Sequence, residues 1–426
     1  GDIIDIYKLQ IMAFSFSFLW LSYLLKLKTG TWMTLAGLFN ILWFCYSFFP
    51  LLIAFDESIS FAGVLYIFIF NALFSMSVFI FNWERVRLSN FTGAVYTRKY
   101  SNELFYTLSL VCVSCVIVGT FIQSNLTYQD LISSPIKFAG KYAELNYSEN
   151  MELGALSRIG LVLSYIVVAF GGLIYGSTKD AKILGVSFFP SLLILIMQSQ
   201  KGLIFFSMMM FAGAVCVVKI QRRDFKVNFY YLYATLIRAS IVIVPLIFVS
   251  FLARGLSNEN DTSIILDRII EYSVSYSSGH LYAFSHWLDE FITSNGFFSL
   301  SYGPSYGLYT FTAFFKIFGL QGDIPAGIYA DYFYGDIVTT NIYTIYRGII
   351  TDFSLLGSFV FAAFSGLVIN GLNYKFMYRP NNPFLISFYI FAFGFIYQTF
   401  VVSSLTWVTI PFAYFVLSFF LFRVKF

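Results

Sequence analysis

Charge is what this chain has least of. Only 11% of its 426 residues are Asp, Glu, Lys or Arg, and it holds 2 histidines and 4 cysteines. A soluble domain carries about 25% charged residues, so the deficit excludes an ordinary water-exposed globular fold. The cysteines, Cys45, Cys112, Cys115 and Cys216, all fall in apolar stretches with no histidine or acid near them in sequence. That argues against a metal cluster and leaves them as small packing residues. No P-loop, Rossmann glycine pattern, zinc signature or serine-histidine-aspartate arrangement is present, so no cofactor and no metal is expected. Nothing points to nucleic acid.

What is there is apolar and aromatic. The chain is 58% hydrophobic, with 54 Phe, 31 Tyr and a mean hydropathy of +0.76. The apolar residues come in blocks of roughly 20, the length that crosses a bilayer as a helix. Strand-like alternation is absent, so helices rather than a barrel satisfy the backbone. We expect an all-α polytopic membrane protein with about eleven spans (a range of 10–13), near 7–25, 31–54, 60–82, 104–123, 156–176, 182–198, 202–219, 230–252, 348–373, 383–402 and 406–424. This divides the chain into an N-terminal bundle (1–252), one large loop (253–347) and C-terminal helices (348–426), integrated as one membrane domain. The chain begins at Gly1, not at a methionine, which is what a trimmed end or a missing upstream segment leaves.

Orientation follows from Lys and Arg. Sixteen of the 26 fall in one alternating set of connectors, from Lys26 and Lys28 to Arg423 and Lys425, which places that set and the C-terminus in the cytoplasm. The large loop is then on the outer face, together with the N-terminus. Inside it, Ile265, Ile269, Tyr272 and Tyr276 repeat at helical spacing after the capping residues Asn260, Asp261 and Thr262. Ser277-Ser278-Gly279 interrupts the pattern, which resumes at Leu281, Phe284, Leu288 and Phe291 and stops at Asn295-Gly296. A third helix is expected from Pro304 to Gly319, then an irregular segment to Asn341.

Four cations sit at outer span ends, against the charge rule: Arg158, Lys201, Arg254 and Arg347. Grouped at one mouth, they suit a polyanion with a lipid tail, because guanidinium forks match phosphate oxygens. The alternative is that each snorkels to headgroups. Arg238 lies inside a span, where a structural partner, snorkelling or function all account for a charge. Asp352, near the start of the ninth span, either pairs an arginine or activates a hydroxyl as a general base. His280, at the interruption, is a second candidate base. His286, Asp289 and Glu290 share a helix face, as metal ligands or as a solvated polar patch. Tyr302, Tyr306, Tyr343 and Tyr346 belong to a tyrosine-rich second half, interleaved with Asp323, Asp331 and Asp336. Such rings stack on sugars, or form an interfacial belt.

The run Asn341-Ile342-Tyr343-Thr344-Ile345-Tyr346-Arg347, followed by Asp352-Phe353-Ser354-Leu355-Leu356-Gly357, resembles an element of the Wzy-type O-antigen polymerases. That family often shows N-x-Y-T, a basic residue, then D-F-G-x-x-G entering a helix; Ser354 stands here for the first glycine. The motif covers a small part of the chain and the topology covers all of it. The resemblance implies a GT-C-like glycosyltransferase of the bacterial inner membrane with its large loop in the periplasm. It implies transfer of a growing glycan from undecaprenyl pyrophosphate to the next lipid-linked repeat unit, without a metal, and a polysaccharide chain-length regulator as partner. The family's functional arginines match Arg254 and Arg347, which with Lys201 and Arg158 are expected to hold pyrophosphates. An O-antigen ligase and a polysaccharide flippase or transporter are the alternative functions.

Overall fold

The computed structural model describes residues 2–91, 99–148, 154–252, 262–297, 303–320 and 329–424. Nearly all of them are helical. The order is α1 (Asp2–Thr29), α2 (Leu35–Ile53), α3 (Phe61–Met76, continued by a 3-10 turn to Ile80), α4 (Trp83–Leu88), α5 (Lys99–Ser124), α6 (Tyr128–Ser133), α7 (Pro135–Ser148), α8 (Ala155–Thr178), α9 (Ala181–Gln198), α10 (Gly202–Gln221), α11 (Phe229–Phe251), α12 (Thr262–Asn295), α13 (Thr312–Ile317), a hairpin of β1 (Phe333–Tyr334) and β2 (Thr339–Thr340), α14 (Thr344–Phe353), α15 (Leu355–Tyr378), α16 (Pro383–Gln398) and α17 (Thr409–Val424).

Among the described residues, nine helices are long and apolar enough to cross a membrane: Ile6–Thr29, α2, Phe61–Ile80, Ser101–Ser124, α8, α9, α10, α11 and α15. The protein is a multi-pass membrane protein. The two apolar segments nearest the C-terminus form shorter helices, α16 and α17. Local chemistry sets the ends. Thr34 and Ser60 cap α2 and α3 by accepting from Gly37 N and Ala62 N. Asn382 caps α16 ahead of Pro383, and Lys179 and Ser199 close α8 and α9 in the left-handed conformation.

Three expectations change. Helix α12 runs unbroken for 34 residues through Ser277-Ser278-Gly279. Gly279 is there because Thr340 of the hairpin packs where a side chain would stand, not because the helix stops. The helix expected from Pro304 is shorter: turns occupy 306–310 and α13 starts at Thr312. The ninth span does not begin near 348. Its first residues form the separate helix α14, and Ser354, at φ +72°, turns the chain before α15 starts. Asn260 and Asp261 lie outside the described residues.

The chain folds as two compact units that interleave the three sequence segments. Unit 1 comprises 1–91, 271–385 and 395–411; unit 2 comprises 92–270, 386–394 and 412–426. In unit 2, α8 is the hub, packed by α5, α9 and α10. Polar bonds cross between its helices, Gln198 Nε2 to Thr120 Oγ1 (2.9 Å) and Ser191 to Ser207 (2.8 Å). The apolar window of α11 is exposed along its length, and Arg238 stands on that exposed surface.

Unit 1 is built on aromatic packing. Tyr346 is fully buried, ringed by Trp43 (4.9 Å), Phe70 (5.0 Å), Tyr66 (5.9 Å) and Phe284 (5.9 Å), and its hydroxyl donates to Asn71 Oδ1 at 2.5 Å. Lys8, which the charge count placed in an outer connector, is buried within α1. Its ammonium donates to the carbonyls of Ala54 and Phe55 at 2.7 Å and to that of Glu57. Lys8 thus holds the turn that follows α2, where Ala54 O also accepts from the Tyr282 hydroxyl at 2.6 Å. Helices α3 and α15 cross closely: Asn370 donates to Phe74 O (2.8 Å), and a Cβ on Gly366 would run into that same carbonyl. Gly366→Ala forces backbone apart, at a cost of about 1–3 kcal/mol. We expect its melting temperature in detergent to fall, while Gly185→Ala, which meets nothing within 4 Å inside α9, does not lower it.

Candidate functional site

The site is organised by two consecutive residues of α14 that point to different sides. Tyr346 is fixed in the aromatic core of unit 1, so Arg347, about 100° further round the helix, is directed elsewhere. Its guanidinium lies against the rings of Tyr329 (4.0 Å) and Tyr343 (4.2 Å), which stand edge to face with each other at 5.5 Å, with Trp287 of α12 at 5.3 Å. Tyr329 stacks in turn on Tyr309 at 6.1 Å. Only 13% of the Arg347 side chain is exposed. Its polar edge meets one carboxylate: Nη2 donates to Asp331 Oδ1 at 3.1 Å, while Nη1 lies 3.0 Å from Oδ2 as an ion pair without a hydrogen bond. Asp331 is 58% exposed. A guanidinium held on its faces and open at its fork presents an anion-binding edge, here taken by an outward-facing carboxylate.

Two strained positions bracket α14. Thr344 (φ +68°) starts it and Ser354 (φ +72°, ψ 172°) ends it. Neither is glycine, and a β-branched residue such as Thr344 rarely enters this region. The strain is held by surrounding contacts. Ile345 N donates to Thr399 O (2.8 Å), and Ser354 Oγ accepts from Gly357 N (3.0 Å) as the cap of α15.

Asp352 is fully buried and is a staple for the loop ahead of α13. Its Oδ1 accepts from Tyr309 N (3.0 Å), and its Oδ2 accepts from Thr310 N (2.8 Å) and Thr310 Oγ1 (2.6 Å). Burial pushes its carboxyl above the ordinary range, against the pull of these bonds. The loop it holds carries Tyr309, which backs the Tyr329 ring. The expected arginine partner is not among these contacts: Asp352 holds backbone N–H groups and a hydroxyl of the loop, and Arg347 pairs with Asp331 instead.

His280 is 2% exposed, among Trp43, Tyr46 and Phe400, with Nε2 at 2.8 Å from Tyr46 O. The carbonyl accepts, so Nε2 carries the hydrogen, and Nδ1 has no hydrogen-bond partner among the described residues. Burial pushes the imidazole down to about 4. It faces the packed interior of unit 1, not an open surface. Tyr346, expected along a glycan path, is likewise wholly interior. Tyr306 is 78% exposed and its backbone N–H donates to Asp352 O. Tyr343 is in the cage. Arg254, Tyr302 and Asp323 lie outside the described residues.

Arg158 is exposed in the first turn of α8, and Lys201 precedes α10 with its ammonium 3.8 Å from the Phe251 ring. Both belong to unit 2, whereas Arg347 belongs to unit 1. On α12, His286 pairs with Glu290 (3.2 Å) and Asp289 accepts from Ser60 Oγ (3.1 Å), the arrangement of a polar face. Trp287 and Glu57 escaped the sequence reading. Buried Glu57 accepts from Ile337 N (3.2 Å) and so anchors the hairpin loop that follows Asp331. Partners 60 and 280 residues away along the chain leave no local signal.

Compared with protein-family models, curated proteins and solved structures, the chain matches none.

Two outcomes follow. The unfolded chain protonates His280 near its ordinary value of 6.5, while the native state resists until about 4. Stability is therefore complete above 6.5 and falls as pH drops from there toward 4, by at most about 3 kcal/mol. Melting in detergent at pH 7 and pH 5 should show the loss, and His280→Gln should flatten it. At Ser354, alanine keeps the backbone strain and loses the cap, costing about 1 kcal/mol. Glycine relieves the strain, so Ser354→Gly should melt higher than Ser354→Ala.

Proposed function

We propose that the protein is a lipid-pyrophosphate-dependent glycosyltransferase of the O-antigen polymerase type, acting at the outer face of the bacterial inner membrane. The observation that carries this reading is the Arg347 cage: a desolvated guanidinium, packed against aromatic rings and paired with an exposed acid, beside the start of a membrane-crossing helix. A phosphate group has the same fork-accepting geometry as the Asp331 carboxylate. Displacing Asp331 places the substrate's pyrophosphate on Arg347 and its polyprenyl chain in the lipid. The tyrosines at 329 and 343, with Trp287, then present rings to the attached sugars.

In the transfer, an acceptor hydroxyl oxygen bonds to the donor's anomeric carbon as that carbon's bond to the pyrophosphate oxygen breaks. The hydroxyl proton passes to the departing pyrophosphate. Arg347 stabilises the charge that develops there, joined by Arg254, Lys201 and Arg158 if these approach the same anion. Asp352 and His280 act as positioning residues: one ties down the loop carrying Tyr309, the other fills the core behind Tyr346.

In cells that make such a polymer, Arg347→Ala should abolish the ladder of long glycans while single repeat units persist on the lipid. Arg347→Lys keeps the charge but loses the fork, and should recover only part of the ladder. A normal ladder from well-expressed Arg347→Ala protein contradicts the reading. Lipid-linked repeats supplied alone distinguish polymerase from ligase, because a ligase makes no ladder from them.

A further inference from the structure

One end of unit 1 carries a cluster of positive charge that the glycan chemistry does not use. Helix α4 lies between the C-terminal ends of α1 and α15, where Trp83 packs on Tyr374 (5.3 Å) and Phe81 stacks on the same ring (5.1 Å). Lys26, Lys28, Arg85, Arg87, Lys375 and Arg379 converge on this end, and Glu84 is the acid among the same segments. Between α1 and α4 opens a cleft of about 380 Å³. Lys28 and Arg87 line it with Asn82, Trp83 and Glu84, and Phe79, Ile80 and Phe81 form its apolar side. Among the described residues neither Lys28 nor Arg87 has an ion pair, whereas Lys26 and Arg379 lie over Tyr23 and Tyr378. Gly30 closes α1 at φ +80°, and the Arg87 stem runs 3.0 Å from where its Cβ would be. That contact keeps the arginine at the cleft.

From this cleft we propose a binding site for the phosphate of an anionic glycerophospholipid. Lys28 and Arg87 hold the phosphate, and the acyl chains run down over Ile80 (69% exposed) and Phe79. The chemistry has two parts, which is what separates a lipid from a free phosphate. The cations serve either, while an exposed isoleucine at the end of a membrane-crossing helix serves only the chains. Glu84 disfavours a second negative charge in the cleft, which suits a phosphodiester with one charge.

The full chain, in a neutral detergent, is titrated with phosphatidylglycerol, phosphatidylcholine and inorganic phosphate, and bound molecules are counted by native mass spectrometry. Phosphatidylglycerol should bind saturably and phosphatidylcholine should not. Lys28→Gln/Arg87→Gln should weaken phosphatidylglycerol on the order of ten-fold, and Arg85→Gln/Lys375→Gln should leave it unchanged. Ile80→Asn, at an exposed position that folding tolerates, should weaken the lipid without creating phosphate binding. Equal lipid binding by wild type and Lys28→Gln/Arg87→Gln overturns the site. Displacement of the lipid by low-millimolar inorganic phosphate, indifferent to Ile80→Asn, assigns it to a soluble phosphate and overturns the lipid.

Discussion

A guanidinium leaves water only if its faces and its edge are both satisfied, and the structure around Arg347 is arranged to meet that condition. Aromatic rings replace water around it, worth about 0.5–2 kcal/mol each when desolvated. The Asp331 carboxylate pairs its edge, taking one hydrogen bond from Nη2. Neither works unless α14 is held in one rotation, and Tyr346 supplies that by sinking its ring into the core and its hydroxyl onto Asn71. The strained turns at Thr344 and Ser354, the Asp352 staple and the Glu57 anchor all bear on the same short helix or the segments that face it. Backbone strain of about 1–3 kcal/mol per residue persists only where surroundings over-determine it. Its concentration at the two ends of α14 marks this helix as the fixed part of unit 1.

Fixing the arginine while leaving its partner exposed has a chemical consequence. Asp331 sits on an irregular segment with over half its side chain in solvent, so exchanging it for another oxyanion disturbs little else. Removing Arg347 instead leaves a hole among three rings. Under the proposed function the pair is a receptor and its replaceable occupant, which separates it from Asp352, whose oxygens are both committed inside. Two acids 21 residues apart in sequence thus carry opposite burdens, set by burial.

Much of the frame was legible in the sequence because hydropathy and helix capping are local. All eleven apolar blocks are helical, nine at crossing length, and Asn295-Gly296 does end α12. The failures are non-local. The stretch expected as one span, 348–373, contains no proline, so no helix breaker announces that Ser354 divides it. Ser277-Ser278-Gly279 reads as a break because small residues weaken a helix, yet Gly279 is small to admit Thr340 of the hairpin. Lys8 counts as a topological charge until α2 is seen to end beside it. Arg347 drew notice as an exception to the expected charge rule; its cage was not readable, since Trp287, Tyr329 and Asp331 join it only through the fold.

The central claim is that the Arg347 fork receives a polyprenyl pyrophosphate in place of Asp331. Equilibrium binding of undecaprenyl pyrophosphate to the purified protein tests it most directly. The account predicts that Arg347→Gln binds at least about ten-fold more weakly than wild type, the loss of one charge-assisted contact, and that Asp331→Asn, which frees the fork, binds more tightly. Equal affinity in all three proteins, with each folded, would contradict it.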